Sequence, residues 1–297
     1  MTPSSPDTVG DPGPSGLPVG DLLLDPGPVT VDLPVPATAL AIGAHPDDIE
    51  FGCGATLAKW AAAGCRIHHL VLTDGSKGSW DPDADLAALT SRRLDECRAA
   101  AAVIDGSRAV GGSAAGSDPG TGSPPAPRVG PVPERVLFLQ RVDGELVNGF
   151  DERREVARII RTVRPEALLG HDPWRRYRLH PDHRAAGFLT VDAIVAARDP
   201  HFYSELGIAP HRPRSLLLWE ADLPNHLETV VGFESVKIDA LLCHHSQGET
   251  TMGLVDGNGA MSQGTDAFAS KVRRQLAAHG ALGGLRSAEA FHLMNEL

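Results

Sequence analysis

The chain has 297 residues, of which 42% are hydrophobic, and a formal net charge of −11 at pH 7. This is enough apolar material for a packed core. An acidic chain is repelled by nucleic-acid phosphates and by anionic membrane surfaces, so nucleic acid is not expected as the main partner. No apolar run reaches the roughly 18 residues that would suggest a membrane span.

Short apolar segments alternate with helical patterns along most of the sequence. In chain order we predict a strand over 37–43, a helix over 53–63, a strand over 67–73, a helix over 86–104, a strand over 135–139, a helix over 151–163, a strand over 167–170, a helix over 182–197, a strand over 215–219, and helices over 234–245 and 265–279. Such alternation is typical of βαβ units. We therefore predict an α/β, Rossmann-like fold, with a mostly parallel sheet and helices on both faces.

Two segments differ from this pattern in composition. Residues 1–36 are rich in Pro, Gly, Asp and Ser, and are expected to form a disordered arm. Residues 37–297 are then a single domain, and its stretch at about 106–133, which has few bulky apolar residues, is predicted to be a flexible insertion.

The compartment is predicted from the cysteines and from the N-terminal segment. The four cysteines include no C-x-x-C pair, which fits a reducing environment. The first 20 residues lack the basic and apolar regions of a secretory signal. A cytoplasmic protein is therefore expected, and homo-oligomerisation is left open.

The first predicted strand runs into His45-Pro46-Asp47-Asp48. In open α/β sheets, reactive groups gather beyond the carboxyl ends of the strands. His45 and Asp48 are three residues apart, so a turn can aim both at one point while Asp47 points elsewhere. An imidazole and a carboxylate are two thirds of a three-residue metal site that leaves positions open for water.

A second motif, His180-Pro181-Asp182-His183, follows the strand predicted at 167–170. One of its two histidines can complete the metal site while the other faces substrate. A divalent ion with three protein ligands acidifies water and polarises a carbonyl, and a carboxylate that does not bind the ion then takes the proton. Asp47 is the candidate for this base. The alternative for each motif alone is a turn in which Asp caps a helix.

The segments AHPDDIEFGCGATLAKWAAAG and HPDHR resemble the LmbE-like or PIG-L family, the N-acetylglucosaminyl deacetylases, whose members include the mycothiol-pathway deacetylase. The resemblance covers roughly residues 37–105 and 134–295. It implies a zinc-dependent hydrolase that removes the N-acetyl group of an N-acetylglucosamine-type sugar conjugate.

The resemblance also implies residue roles. His45, Asp48 and His183 match the metal ligands, one Zn²⁺ per chain, although such sites also accept Fe²⁺. Asp47 matches the base, and a protonated His180 is expected to stabilise the oxyanion or protonate the leaving amine. Arg93, within an R-x-x-E segment that ends at Glu96, Asp143 and His245 are expected on the substrate side. Some relatives have a catalytic Tyr where this chain has Arg178, which leaves open whether the adjacent Tyr177 takes part.

Two other functions are consistent with the same residues. One keeps the metal site but changes the substrate, as in an amidase on a thiol-sugar conjugate or a deacetylase on an antibiotic sugar. The other is a non-catalytic Rossmann-like binding module, in which the acidic and histidine residues only cap helices. The absence of a G-x-G-x-x-G segment after the first strand argues against a nucleotide-binding version of that module.

Overall fold

The computed structural model describes residues 29–111, 134–254 and 264–297. In chain order its elements are β1 (Thr30–Val31), β2 (Thr38–Gly43), α1 (Asp48–Ala62), β3 (Arg66–Thr73), α2 (Leu86–Gly111), β4 (Val136–Arg141), α3 (Phe150–Val163), β5 (Ala167–His171), α4 (Pro181–Arg198), β6 (Ser215–Trp219), β7 (His226–Thr229), α5 (Glu234–Leu242), α6 (Gly264–Ala281) and β8 (Ala288–Asn295).

The strands form one sheet in the order β1-β7-β8-β6-β5-β2-β3-β4. Strands β4, β3, β2, β5 and β6 are mutually parallel, and β8 is antiparallel to both β6 and β7. The chain moves outward from β2 to β3 and β4, and then returns to place β5 on the other side of β2. The sheet therefore has its topological switch between β2 and β5, where α/β proteins form their binding crevice.

Alternate side chains of β2 point to two separate cores. Leu40 and Ile42 pack in a core with residues of α3 and α4, while Ala39 and Ala41 pack in a core with residues of α1 and α2. A strand that is buried on both faces is expected in a parallel sheet covered by helices. The predicted α/β fold with helices on both faces is confirmed.

Some predicted boundaries differ from the observed ones. Helix α1 begins at Asp48 rather than at 53. The residue predicted as its start, Cys53, has non-helical dihedral angles and marks a kink within the helix. The short strands β1 and β7 and the eight-residue strand β8 were not predicted, and β1 lies within the segment expected to be an arm. Most of that arm, residues 1–28, lies outside the described residues, as does most of the predicted insertion, residues 112–133. Among the described residues, no helix is both long and apolar enough to cross a bilayer.

The kink in α1 at Cys53 is bridged by a buried ion pair between Glu289 of β8 and Lys237 of α5. The carboxylate of Glu289 accepts hydrogen bonds from the backbone amides of Ala55 (3.2 Å) and Thr56 (2.8 Å). Nζ of Lys237 lies 2.5 Å from the same carboxylate and also donates to the carbonyl of Phe51. Helix α1 is thus held at its kink by β8 and α5.

We predict that Glu289→Ala lowers the free energy of unfolding by about 3–5 kcal/mol, because it leaves the Lys237 ammonium buried without its partner. The measurement is urea unfolding followed by circular dichroism. Glu134→Ala, at an exposed carboxylate, is the control and should change stability by less than about 0.5 kcal/mol. Equal effects of the two substitutions would show that the ion pair does not hold the helix.

Candidate active site

The turn between β2 and α1 presents three polar side chains at the switch point. The backbone amide of His45 donates to Oδ2 of Asp48 over 2.7 Å, which closes the turn. Asp47 has a φ of 111°, a conformation that L residues rarely adopt. Its side chain makes no capping hydrogen bond with the helix. The structure therefore argues against the alternative in which Asp47 only caps a helix. Backbone strain such as the positive φ of Asp47 is typical of functional sites.

The second motif forms the N-terminus of α4. Nδ1 of His180 accepts a hydrogen bond from the backbone amide of Asp182 over 3.3 Å, and Pro181 occupies the first helical position, where its missing N–H is not needed. His183 follows one turn later and faces the β2–α1 turn. Because β2 and β5 are adjacent, the two motifs meet across the crevice.

The three predicted metal ligands converge. Nδ1 of His45 lies 3.2 Å from Nε2 of His183 and 3.4 Å from Oδ2 of Asp48, and Nε2 of His183 lies 3.3 Å from Oδ1 of Asp48. Such spacing suits donor atoms that share one ion. The described residues contain other overlapping groups of metal-ligand type: His45, His180 and His183; Asp48, His171 and His183; His45, Asp143 and Asp182.

The tautomer of His45 supports the predicted ligand group of His45, Asp48 and His183. Nε2 of His45 lies 3.1 Å from Asp182 and 3.3 Å from Asp143, and ionised carboxylates only accept hydrogen bonds. The proton of a neutral His45 is therefore on Nε2, and the lone pair of Nδ1 faces Asp48 and His183. Burial by itself lowers the pKa of His45, but these carboxylates raise it well above its usual value. A metal at Nδ1 would therefore compete with a proton.

Arg93 joins the turn to a second loop. The buried guanidinium donates to the carbonyl oxygens of Pro46 and Gly75, each over 2.8 Å, and lies 3.8 Å from the carboxylate of Asp47. The pKa of Asp47 is raised to about 6, chiefly by burial and also by the charge of Asp48, against the opposing effect of the positive charge of Arg93. Arg93 thus supports both the position and the ionisation of Asp47.

A cavity of about 610 Å³ opens onto these groups. Its inner wall includes all but one of the predicted site residues: His45, Asp47, Asp48, Arg93, Asp143, His180 and His183. Its outer wall is formed by Lys77, Trp80, Thr250, Thr251, Phe268, Lys271 and Gln275. The volume is in the range of small-molecule sites. The sequence indicated a substrate-side loop over residues 73–78, which includes Lys77, but it did not single out Lys271, Trp80 or Phe268.

The structure bears on two expectations, those for His245 and His180, and on the role of Tyr177, which the sequence left open. His245 lines a separate depression beside α2, because the turn after α5 directs its neighbours His244 into the core and Gln247 to the cavity. The ring of Tyr177 is 94% exposed and does not line the cavity. Burial and the charges of His45 and His183 lower the pKa of His180, so the protonated form expected from the resemblance is disfavoured.

Glu96, by contrast, has a structural contact. Its buried carboxylate accepts hydrogen bonds from the backbone amide (2.9 Å) and the hydroxyl (2.6 Å) of Ser246. It therefore holds the turn that brings Gln247 to the cavity. Asp182, whose bond to His45 is described above, was missed because its position in the motif suggested only a helix start.

Comparison with known proteins places the chain in a family. The model of the PIG-L family, GlcNAc-PI de-N-acetylase, matches residues 40–194, which include both motifs. The chain belongs to this family. The predicted resemblance to PIG-L proteins is thereby confirmed.

Relatives within the PIG-L family carry deacetylase names. The chain is 31% identical over 211 residues to the diacetylchitobiose deacetylase of Thermococcus kodakarensis, a match that covers 70% of this chain and 69% of the relative. It is 34% identical over 170 residues to the 1D-myo-inositol 2-acetamido-2-deoxy-alpha-D-glucopyranoside deacetylase of Thermomonospora curvata, covering 54% of this chain and 53% of the relative. The match thus spans only about half the length of the second relative.

Solved structures share the fold at low sequence identity. N,N'-diacetylchitobiose deacetylase from Pyrococcus horikoshii has a TM-score of 0.70 and 22% identity, covering 88% of this chain and 84% of that one. The 4-carboxy-2-hydroxymuconate hydratase GalB from Pseudomonas putida has a TM-score of 0.63 and 17% identity, covering 88% and 97%. Since one fold carries both a deacetylase and a hydratase, the activity of this PIG-L protein depends on the residues of its site and not on the fold alone.

The contact between the Arg93 guanidinium and Gly75 gives a test of the site's packing. Gly75 and Gly207 have nearly the same left-handed φ, 65° and 64°, but a Cβ at Gly75 would lie 2.7 Å from Nη1 of Arg93, while one at Gly207 has no atom within 4 Å. We predict that Gly207→Ala costs about 1–2 kcal/mol of stability from backbone strain. Gly75→Ala should cost about 1–3 kcal/mol more from overpacking.

The check is chemical denaturation of both variants, alone and combined with Arg93→Ala. In the Arg93→Ala background the extra cost of Gly75→Ala should disappear, since the clashing group is gone. An extra cost that persists in that background would mean that Arg93 is not the group that requires a glycine.

Proposed function

We propose that this protein is a metal-dependent hydrolase that removes the N-acetyl group from an N-acetylglucosamine-type sugar conjugate. The observation that supports it most is the convergence of His45, Asp48 and His183 beside Asp47, on the wall of a cavity, in a chain of the PIG-L family. The names of the relatives point to the same linkage, an acetamido group on a glucosamine unit.

The donor set fits a divalent ion, and we propose zinc. Two imidazole nitrogens and one carboxylate oxygen suit Zn²⁺ and also Fe²⁺. His45, Asp48 and His183 are the proposed ligands. A divalent ion in that site supplies Lewis acidity, which makes water a better nucleophile and polarises an acyl carbonyl.

Asp47 is the proposed general base. It lies next to a ligand, and its carboxylate is buried beside Arg93. In its ionised form it accepts the proton of the attacking water as oxygen adds to the acetyl carbonyl carbon. The tetrahedral adduct then collapses with cleavage of the C–N bond, the amine takes up a proton, and acetate and a free amino sugar leave.

His180 is the proposed donor on the other side of the reacting carbonyl. The helix amide of Asp182 occupies the lone pair of Nδ1, so the proton of a neutral His180 is on Nε2. This N–H can donate to a developing oxyanion or to the leaving nitrogen. Neutral His180 serves this purpose, which removes the need for the protonated form.

Arg93 and Asp143 are the proposed contacts near the sugar. Both line the cavity, and Nη1 of Arg93 lies 3.9 Å from Oδ2 of Asp143. The outer wall offers aromatic rings and two lysines for the rest of the conjugate. The carboxylate of Asp143 that would bind a sugar hydroxyl is the same one that lies 3.3 Å from Nε2 of His45.

The first test is acetate release from N,N'-diacetylchitobiose and from the N-acetylglucosaminyl inositol named in the relatives. We expect activity on at least one of them, and a loss of about 10²–10⁴-fold in kcat for Asp47→Asn. Asp151→Asn, at an exposed position in α3, should match the wild type. Hydrolysis of a thiol-sugar amide in place of both acetamides would favour the amidase alternative.

Metal content gives a second test. Elemental analysis should find about one divalent ion per wild-type chain, and much less in His183→Ala, because two distant motifs share the ion. His201→Ala removes an exposed histidine and should leave the metal content unchanged. No metal in the wild type after incubation with Zn²⁺ or Fe²⁺ would contradict the hydrolase and favour a binding module.

The pH dependence of kcat/KM is a third test. Asp47 must be ionised to act, so kcat/KM should fall as the pH drops through the pKa of Asp47, which burial raises and Arg93 lowers. Arg93→Gln removes the lowering charge and should move this acid limb to higher pH by about one unit or more. Arg93→Lys keeps the charge and should leave the limb near its wild-type position. The same limb in all three proteins would argue against Asp47 as the base.

A further inference from the structure

His171, the last residue of β5, is buried directly behind the proposed ligands. It is 1% exposed, and its Nε2 lies 3.1 Å from Oδ2 of Asp48 and 3.4 Å from the backbone amide of Ala44. Its ring is stacked on that of His183, with centroids 4.5 Å apart and planes at 17°. His171 therefore touches two of the three proposed ligands.

Within hydrogen-bond distance, the described residues offer only donors to the other nitrogen of His171, and the nearest carboxylate oxygen, Oε2 of Glu220, lies 4.0 Å away. Nε1 of Trp219 donates to Nδ1 over 3.0 Å, and Nη1 of Arg178 lies 3.1 Å from the same atom. Neither an indole nor a guanidinium can accept a hydrogen bond. The two short donor contacts assign the lone pair to Nδ1, and the single proton of the imidazole is then on Nε2, where it points to Asp48 at 3.1 Å. The amide of Ala44, at 3.4 Å, is the longer of the two contacts of Nε2.

The indole donor is held in place by the fold. His171 and Trp219 are register partners in β5 and β6, and Trp219 is 1% exposed. Its ring packs on Gly52 of α1, where an added Cβ would lie 2.6 Å from Cγ of Trp219. A glycine is needed at this position because any side chain would displace the ring.

The carboxylate of Asp48 is thereby oriented. Its Oδ2 accepts hydrogen bonds from the amide of His45 and from Nε2 of His171, while its Oδ1 lies 3.3 Å from Nε2 of His183. Hydrogen bonds that orient a ligand carboxylate commonly affect metal affinity by about 10–100-fold.

We propose that His171 is a positioning residue, which holds Asp48 through its Nε2–H in the orientation that the metal requires and does not bind the metal itself. This rests on the proposed function. It separates the ligand group His45, Asp48 and His183 from the overlapping group of Asp48, His171 and His183, because a nitrogen that carries a proton has no lone pair for a metal.

His183 does not share this restriction. The donor next to its Nδ1 is Arg178, at 2.9 Å, whose guanidinium also pairs with the partly exposed carboxylate of Glu220. Arg178 is shared between Nδ1 of His183, Nδ1 of His171 and Glu220, whereas the packed indole of Trp219 donates to His171 alone. Arg178 can therefore pair with His171 and Glu220 when Nδ1 of His183 carries a proton. Nδ1 of His183 is thus able to carry the proton that metal binding at Nε2 requires.

The test is the Zn²⁺ and Co²⁺ dissociation constant of the full chain, measured by competition with a chelator, for the wild type and for His171→Leu, His171→Gln and His183→Ala. The amide nitrogen of Gln can replace Nε2–H as a donor, so His171→Gln should bind the metal nearly as tightly as the wild type. His171→Leu should bind it about 10–100-fold more weakly. Thermal unfolding of the metal-free proteins checks that each variant is folded.

A metal affinity of His171→Leu equal to that of the wild type would overturn the proposal, even if its stability changed. A loss as complete in both His171 variants as in His183→Ala would also overturn it, since His171 would then be a ligand. A wild type that binds neither ion would instead refute the proposed function. The tautomer has its own readout in long-range ¹H–¹⁵N spectra of the metal-free chain, where a proton on Nδ1 of His171 would contradict the assignment.

Discussion

The buried carboxylate of Asp182 ties together the segments that form the cavity wall. It is fully buried, and it accepts hydrogen bonds from the backbone amides of Gly144 and Leu146 as well as from His45. Burial by itself raises the pKa of this group, but the hydrogen bonds lower it, so the ionised form is retained. One carboxylate at the start of α4 thus holds the end of β2 and the loop that carries Asp143.

The tautomers of His45 and His171 are set in the same way, by a buried hydrogen-bond partner on one ring nitrogen. A carboxylate on one nitrogen of His45 leaves the other nitrogen as an acceptor that faces the cavity, whereas an indole on one nitrogen of His171 leaves the other as a donor that faces Asp48. A histidine side chain is therefore an acceptor toward the cavity at position 45 and a donor toward Asp48 at position 171, because the environment of each ring selects its tautomer.

The two motifs and their positions after strands were predictable from the sequence. The strand-to-turn positions of His45 and His183 follow from local apolar patterns, and the parallel sheet places the ends of such strands at one edge. That β2 and β5 are neighbours could not be predicted, since the order of strands depends on how helices pack on both faces. The antiparallel strand β8 was also missed, although its Glu289 supports the kink in α1.

By itself the sequence determined the fold class, the PIG-L family and the residue types of the proposed metal site, because these depend on short segments that are contiguous in the chain. The tertiary structure alone decided which of the neighbouring groups face one another. It placed His245 away from the cavity, left Tyr177 in solvent, and brought Trp219 to within 3.0 Å of His171 across 48 positions of sequence. The physical reason is that hydrogen-bond partners and burial set the tautomer and charge of a side chain, and both arise only when distant segments pack together.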